Sequence, residues 1–305
     1  MEVRRIQASL GAYRAITLLN DSISITVIPE LGGRIVSLRN LPSGREWCWH
    51  PNTELALHPN QYGDSFGDSP HAGIDECFPT IEACFYENRA YPCHGEIWTE
   101  SWTVNQEDAT SIDLEIRPKQ FPATLRRSIS LDASTARLRY RLESHSSKDE
   151  NYLWALHPFF RLVDGDILTL PDSVSELSVG ASAGIPGAPA RVPWPSPLPG
   201  FDLDRFTLGD NRAARIKAFT PVLSEGKCGI RNAHSNDELE ISWDTNQNPF
   251  LGIWITRGGY RGIQQVAALE PTNTPHDSLM EASKNIFTLL PAGQHREWDI
   301  RLSLS

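Results

Sequence analysis

The chain has 305 residues, with 38 Asp and Glu residues against 28 Lys and Arg residues and a formal net charge of -10. An acidic surface repels a phosphate backbone, so the composition argues against a nucleic-acid partner. The sequence contains no run of roughly 18 apolar residues, the length needed to cross a membrane. The N-terminal stretch lacks the apolar core of a secretory signal peptide. Five cysteines without a CxxC pair fit reduced thiols better than a disulfide framework. We therefore expect a cytoplasmic protein without a membrane partner.

Alternation of apolar and polar residues, which is typical of half-buried strands, recurs along the chain. In SISITVIP, Ile23, Ile25 and Val27 alternate with polar residues, and RLRYRLES follows the same pattern. SIDLEIRP, RSISLDA and the C-terminal WDIRLSLS add three more strands, whereas helical periodicity is confined to HDSLMEASKN. With 22 prolines and 21 glycines marking turns, the sequence predicts an all-β fold, a large antiparallel β-sandwich.

One proline-rich segment lacks the alternating strand pattern. GIPGAPARVPWPSPLPG, residues 184–200, is rich in proline and should be stiff and extended. Similar strand patterns flank it on both sides, so we expect an excursion wrapped over the sheet, with a domain linker as the alternative. The prediction is a single domain over residues 1–305.

An ionisable ring interrupts the apolar and aromatic segment NYLWALHPFFRL. His157 is followed by Pro158, which lacks a backbone donor and favours the end of a strand. A histidine at a strand end can serve as a general acid. The alternative, a core histidine bonded to a carbonyl, carries equal weight on this segment alone.

A carboxylate follows the apolar run of QQVAALEPTNTP. Pro271 favours an extended backbone at Glu270, which predicts a carboxylate at the end of a strand, where it could act as a general base. The alternative is a glutamate that has simply reached solvent.

Two further segments carry candidate site residues. YPCHGEIWTESW sets His94 and Glu96 beside two tryptophans, which could stack on a sugar or simply fill the core. The loop GDSFGDSPHAGIDECFPT holds His71, Asp75 and Glu76. Neither the acidic residues nor the neighbouring cysteines have the spacing of a calcium or zinc site, so we predict no metal.

Taken in order, these motifs resemble the aldose 1-epimerase (galactose mutarotase) family. The signposts are IPELGGRIVSL, GREW, GIDECFPT, CHGEIWTESW, HPFF, LEPTN and LPAGQHREWDIRLSL, and they span nearly the whole chain. The resemblance implies a galactose mutarotase-like β-sandwich with a sugar cleft on one face. It also implies His157 as the acid, Glu270 as the base and His94 as a second histidine that contacts the sugar.

The implied reaction suits these residue types. Interconversion of α and β anomers removes a proton from the C1 hydroxyl and adds one to the ring oxygen, so one carboxylate and one imidazole suffice. The expected partner is a monosaccharide, and no cofactor is expected, consistent with the absence of P-loop and GxGxxG motifs. Arg34 could lie near the cleft or form a salt bridge within the sheet.

The sequence also departs from the family pattern. The Asn-Arg pair expected in the first third, and the Asn expected before the acid histidine, are replaced by GDSFGDSPHAGIDECFPT and LWALHPFF. Asp75 could substitute as an acceptor for sugar hydroxyls, whereas the aspartate usual between acid and base has no equivalent that we can assign. The sugar therefore need not be galactose, and its phosphorylation and the oligomeric state stay open.

Three other functions compete with anomerisation. A carbohydrate-binding protein would share the fold but would need no acid and base. A hexose-phosphate mutarotase would add a cationic pocket, for which the available residues are Arg89, Arg161, Arg257 and Arg261. Glycoside hydrolysis ranks last because it usually uses two carboxylates.

Overall fold

We describe a computed structural model of the chain, over residues 2–51, 60–69, 72–106, 108–183, 190–197, 202–207, 214–258, 260, 263 and 265–305. The predicted strands are confirmed. In the strand that contains SISITV, for example, Ile23, Ile25 and Val27 are buried between more exposed polar residues. The predicted helical segment contains a single short α-helix, α1 (Leu279–Ala282). The prediction of an all-β fold is therefore confirmed.

The first large sheet has twelve strands. They are β1 (Arg4–Leu10), β2 (Tyr13–Leu19), β3 (Ile23–Ile28), β4 (Arg34–Asn40), β5 (Ile74–Cys77), β13 (Ala155–Pro158), β14 (Phe160–Arg161), β16 (Glu176–Ala183), β17 (Arg191–Pro193), β18 (Ala214–Phe219), β21 (Phe250–Arg257) and β22 (Val266–Thr272). Their order is β1-β2-β3-β4-β5-β13-β22-β21-β18-β16-β17, with β14 also paired to β22. The pairings are antiparallel, and they bring β5, β13, β22, β21 and β18 side by side in the middle of the sheet.

The second large sheet has eight strands in the order β15-β19-β20-β24-β11-β10-β9-β8. They are β8 (Thr103–Gln106), β9 (Ser111–Ile116), β10 (Ala123–Asp132), β11 (Thr135–Ser144), β15 (Asp166–Thr169), β19 (Gly226–Asn232), β20 (Glu238–Trp243) and β24 (His295–Leu304). Two small ribbons, β6 (Cys84–Tyr86) with β7 (Arg89–Tyr91) and β12 (Glu150–Asn151) with β23 (Leu289–Leu290), complete the strands. Two short 3₁₀ helices span Phe66–Asp68 and Ile286–Thr288.

The main apolar core lies between the two sheets, and strand alternation decides which side chains enter it. On β22, Ala267 and Leu269 belong to this core, whereas Val266 and Ala268 belong to a separate cluster on the opposite face. Period-2 alternation therefore directs Glu270 away from the main core. The outer face of the first sheet is where the ionisable residues of the central strands collect.

One ion pair crosses between the two sheets. On β5, Glu76 accepts hydrogen bonds from Arg127 of β10 and from the hydroxyl of Tyr140 on β11. Arg127 also donates to the carbonyl oxygen of Gly33. Burial raises the pKa of Glu76, and the nearby Arg127 and Tyr140 oppose this shift. Both side chains of the ion pair are fully buried, so a charged link holds the two layers together.

The proline-rich segment extends the edge of the first sheet. Residues 190–197 are described, and within them β17 pairs with β16. The other residues of 184–200 lie outside the described part. Among the helices that the structure describes, none is both long and apolar enough to cross a membrane.

Candidate active site

The register between β5 and β13 sets His157 directly opposite Asp75. Their side chains form a buried hydrogen bond of 3.0 Å between Nδ1 of His157 and Oδ1 of Asp75. An ionised carboxylate only accepts, so Nδ1 carries the proton and Nε2 is left for proton exchange with a ligand. As expected from Pro158, β13 ends just after His157.

Arg34 lies behind this histidine and carboxylate. Its Nη2 is 3.7 Å from Oδ2 of Asp75, and the side chain is buried. Although burial lowers the pKa of Arg34, the charge of Asp75 partly offsets this effect. Because the two oxygens of Asp75 approach His157 and Arg34, the geometry favours a supporting role for both Asp75 and Arg34. Direct contact of either side chain with a sugar stays a prediction.

His94 approaches His157 from a strained loop. Its φ of 60° lies in the left-handed region, which is unusual for a residue other than glycine and often marks a functional position. Its ring stacks on Phe66, with centroids 3.4 Å apart, and meets the His157 ring edge-on at 4.7 Å. Nδ1 of His94 is 3.3 Å from Sγ of Cys77. The structure therefore brings both predicted histidines together.

Glu270 is fully buried within β22 rather than at its end, because the strand continues through Pro271 to Thr272. The expectation of a glutamate at the strand end is thus wrong, and so is the alternative of a solvated side chain. The strand register then directs the carboxylate to the same outer face as His157.

Lys217, which the sequence analysis did not predict as a site residue, forms an ion pair with Glu270. Lys217 of β18 donates a hydrogen bond to Oε2 of Glu270, and its Nζ lies 3.8 Å from Asp277. Although burial alone would lower it, the two carboxylates raise the pKa of Lys217, so the side chain stays charged. Among the described residues, the other oxygen of Glu270, Oε1, has no hydrogen-bond partner although it is buried. A ligand in the adjoining cavity could supply that partner.

Gly252 leaves room for the Lys217 and Glu270 pair. It lies on β21 and pairs with Phe219 on one side and Glu270 on the other. A Cβ at this position would come within 3.0 Å of Oε2 of Glu270 and 3.2 Å of Cε1 of Phe219. Because glycine has no side chain, Lys217 and Glu270 can meet across the intervening strand β21.

The acid and base candidates border one cavity of about 280 Å³. This is close to the lower limit of about 300 Å³ for small-molecule sites. Its wall combines aromatic and ionisable side chains, which include Phe66, His94, His157, Phe159, Arg215, Lys217, Trp254, Tyr260, Glu270 and Asp277. Burial raises the pKa of Asp277, and Lys217 opposes this shift. An aromatic wall with opposed acid and base groups is suited to a small polar ring.

The aromatic wall differs from the one that the sequence suggested. Trp98 and Trp102 are 1% and 2% exposed, and their indole nitrogens donate to carbonyl oxygens of the nearby chain. Trp254 borders the cavity instead, with its ring stacked on Phe159 at a centroid distance of 5.2 Å. Glu96 accepts hydrogen bonds from backbone donors and Tyr62, which gives it a structural role.

A larger groove of about 540 Å³ lies along the second sheet and is rich in arginine. Its basic side chains are largely paired with acids, as in Arg137 with Asp299 and Arg141 with Glu297. Such exposed pairs are common on a solvated sheet face. The smaller cavity on the first sheet is therefore the stronger candidate for a site.

The overall architecture was compared with that of solved structures. A protein from Synechocystis sp. PCC 6803 superposes with a TM-score of 0.72 at 15% identity, covering 98% of each chain. A galactose mutarotase-like protein from Lactobacillus casei has a TM-score of 0.67 at 17% identity, covering 95% of this chain and 100% of its own. The chain has the galactose mutarotase-like fold.

A second mutarotase-like structure agrees with this fold assignment. The protein from Clostridium acetobutylicum superposes with a TM-score of 0.69 at 12% identity, covering 100% of this chain and 98% of its own. No protein-family model matches the sequence, and no curated protein matches it. At these identities the mutarotase-like likeness concerns the fold alone.

Proposed function

We propose that the protein is an isomerase of the aldose 1-epimerase type, which interconverts the α and β anomers of an aldose by opening the ring at C1. The observation that carries the proposal is a single cavity bordered by both His157 and Glu270. The fold likeness to mutarotase-like proteins supports the same reaction class. The proton transfers of this reaction need only one acid, one base and the residues that position them.

In the proposed mechanism Glu270 accepts the proton of the C1 hydroxyl through Oε1. His157 donates a proton from Nε2 to the ring oxygen, the bond between C1 and the ring oxygen breaks, and C1 becomes a carbonyl carbon. Rotation about the C1–C2 bond presents the opposite carbonyl face, and the reverse steps close the ring as the other anomer. On closure Glu270 returns its proton to the C1 oxygen and His157 regains a proton at Nε2, so both groups end in their initial protonation states.

The neighbouring residues support these two roles. The Asp75 carboxylate accepts a hydrogen bond from Nδ1 of His157 and holds the ring with Nε2 available to the sugar. Lys217 binds Oε2 of Glu270 and leaves Oε1 for the C1 hydroxyl proton. Trp254 and Phe159 offer flat apolar surfaces on which a pyranose ring can pack. His94 would contact the sugar beside His157.

Polarimetry of freshly dissolved α-anomers tests the proposal. We expect at least one sugar of a neutral aldose panel to equilibrate faster with the protein. His157→Asn and Glu270→Gln should abolish most of this acceleration, whereas Glu150→Gln, a buried carboxylate of the β12 ribbon, should retain it. A wild-type protein that binds panel sugars without accelerating any of them would instead be a carbohydrate-binding protein.

A phosphorylated aldose is the second candidate substrate, and Arg215 favours it. Arg215 borders the cavity, and within the described part of the chain it has no ion pair. Two of the arginines proposed for phosphate binding have other partners. Arg89 pairs with Glu150, and Arg257 donates hydrogen bonds to backbone carbonyls. Arg161 is exposed, and Arg261 lies outside the described residues. Hexose 6-phosphates in the panel, with Arg215→Gln as a variant, separate the two substrates.

We further propose that the reaction takes place in the cytoplasm. All five cysteines are free, which fits a reducing compartment. Fractionation of cells that express the full chain tests this location, with a cytoplasmic marker enzyme as the control.

A further inference from the structure

Three potential metal ligands from separate parts of the sequence meet beside the cavity. Cys77 ends β5, His94 lies in the loop after β7, and His157 lies on β13. One ligand atom from each side chain lies within 4.8 Å of the others. Sequence spacing gave no hint of this group, because β-sheet pairing and not a short motif assembles it.

The distances are close to those of a tetrahedral zinc site. Zn–S and Zn–N bonds of about 2.3 and 2.1 Å place ligand atoms roughly 3.6 Å apart at a tetrahedral angle. Sγ of Cys77 and Nδ1 of His94 are already 3.3 Å apart. The separations that involve His157 are at most 4.8 Å, little more than 1 Å above this spacing. A rotamer adjustment would close such a gap.

The groups around the ligands favour a metal as well. Asp75 accepts the Nδ1–H of His157, which leaves Nε2 as the ligand nitrogen, and a carboxylate on the far ring nitrogen is the usual support of a metal-bound histidine. Phe66 packs flat on His94 and fixes the plane of its ring. The ligands are therefore oriented before any ion arrives.

We propose that Cys77, His94 and His157 form a binding site for a soft divalent cation, with Zn²⁺ as the natural candidate. One thiolate and two imidazoles suit zinc and exclude magnesium and calcium, which prefer oxygen ligands. Water from the adjoining cavity completes the tetrahedron. On binding, a metal–sulfur bond forms, the S–H bond of Cys77 breaks, and its proton passes to the buffer.

Zinc at this position would inhibit the enzyme, a consequence that rests on the proposed function. The ion takes the lone pair of Nε2 on His157, which anomerisation needs for proton transfer. The same residues would thus catalyse in the metal-free protein and be blocked in the metal-bound protein. A chelator would restore the activity.

Cobalt serves as the spectroscopic probe, because a thiolate bound to Co²⁺ gives a near-ultraviolet charge-transfer band that imidazole ligands lack. We expect wild-type protein to bind one Co²⁺ or Zn²⁺ per chain and to show this band. Cys77→Ala should lose the band and weaken zinc binding at least by the roughly 10–100-fold that follows loss of an outer-shell partner. The matched control is Cys228→Ala, a buried cysteine on β19, which should behave as wild type.

The outcomes separate the site from the proposed function. Wild-type protein without a stoichiometric site or without the band overturns the proposal, and this measurement does not depend on a variant that folds. Unchanged zinc affinity in folded Cys77→Ala, checked by its melting temperature, overturns it too. If the band appears but no sugar is anomerised faster, the metal site stands and the proposed function fails.

Discussion

Two buried glutamates of the first sheet, Glu76 and Glu270, each pair with a basic side chain, but they face opposite sides of that sheet. Glu76 and Arg127 lie between the sheets, with both side chains fully buried. Glu270 and Lys217 border the cavity, and the lysine side chain is 11% exposed. The residue types are alike, whereas access to a ligand differs.

The difference in access to a ligand indicates that the two buried ion pairs have different roles. Replacing a buried pair with apolar residues is often neutral or stabilising, so neither pair is explained by stability alone. The inner pair joins two layers of the fold. The outer pair holds a carboxylate at the wall of the cavity, where the proposed substrate would bind. Removing one partner of the outer pair should therefore reduce the rate, and removing one partner of the inner pair should reduce stability.

The largest effect is expected for Glu270→Gln. Glutamine keeps the shape but cannot accept the C1 proton, so anomerisation should fall by roughly 10²–10⁴-fold, the contribution typical of general acid–base groups. Sugar affinity, measured by calorimetry, should change much less. A folded variant with wild-type turnover would show that the glutamate is structural and that the comparison fails.

Glu76→Gln should produce the opposite result. It leaves Arg127 uncompensated in the core, which typically costs about 3–5 kcal/mol of unfolding free energy. Chemical denaturation measures this loss, and the anomerisation rate per folded molecule should stay near the wild-type value. A specific loss of rate without a change in stability would contradict the division between the two faces.

Gly252→Ala sharpens the outer half of the comparison. The new Cβ would lie 3.0 Å from Oε2 of Glu270, so the carboxylate must shift by a few tenths of an ångström. The rate should fall, but by less than the roughly 10²-fold that a 1 Å misplacement costs. Gly293→Ala, in an exposed turn, controls for a general effect of replacing glycine. Equal rates for both variants would mean that the pair tolerates the shift.

The smallest effect is expected at a third pair, Glu150 with Arg89, whose arginine is 20% exposed. Burial alone would raise the pKa of Glu150, but hydrogen bonds from Arg89 and Ser146 lower it below its ordinary value. A lowered carboxyl pKa contributes stability above the ordinary value of about 4.3. That contribution disappears as the pH falls through the lowered value.

Glu150→Gln should therefore lower the unfolding free energy at neutral pH by no more than about 1 kcal/mol, because one partner is partly solvated. The difference between variant and wild type should shrink as the pH falls below about 4. Urea denaturation at several pH values measures it. A difference that grows on acidification would have the wrong sign for an ion pair.

The sequence singled out His157 and Glu270, which border the same cavity, because each interrupts an apolar run. It missed Lys217 because the strand ARIKAF alternates regularly and reads as a strand with a solvated face. That face instead borders the cavity, since β18 pairs with β21 in the centre of the sheet. Long-range strand order is set by tertiary packing, which local periodicity does not encode.

The same limit explains the metal-ligand group and the aromatic wall. Cys77 and His157 become neighbours only through the pairing of β5 with β13. Trp254 sits on an apolar strand that reads as core, whereas Trp98 lies beside a candidate histidine and reads as a site residue. Nearness along the chain was therefore a poor guide to nearness in the cavity.

The inner ion pair, Glu76 with Arg127, also fixes the register of β5, the strand that carries Asp75 and Cys77 on the cavity side of the sheet. β5 has four residues, in which Asp75 and Cys77 face outward and Glu76 faces inward. A slip of one residue would turn Glu76 outward and abandon its bonds to Arg127 and Tyr140, since a strand reverses its faces with each step. Arg127 also binds the carbonyl of Gly33, one residue before Arg34. The Glu76 carboxylate lies between the sheets and does not border the cavity. Its bonds nevertheless favour the register in which Asp75 accepts a hydrogen bond from His157.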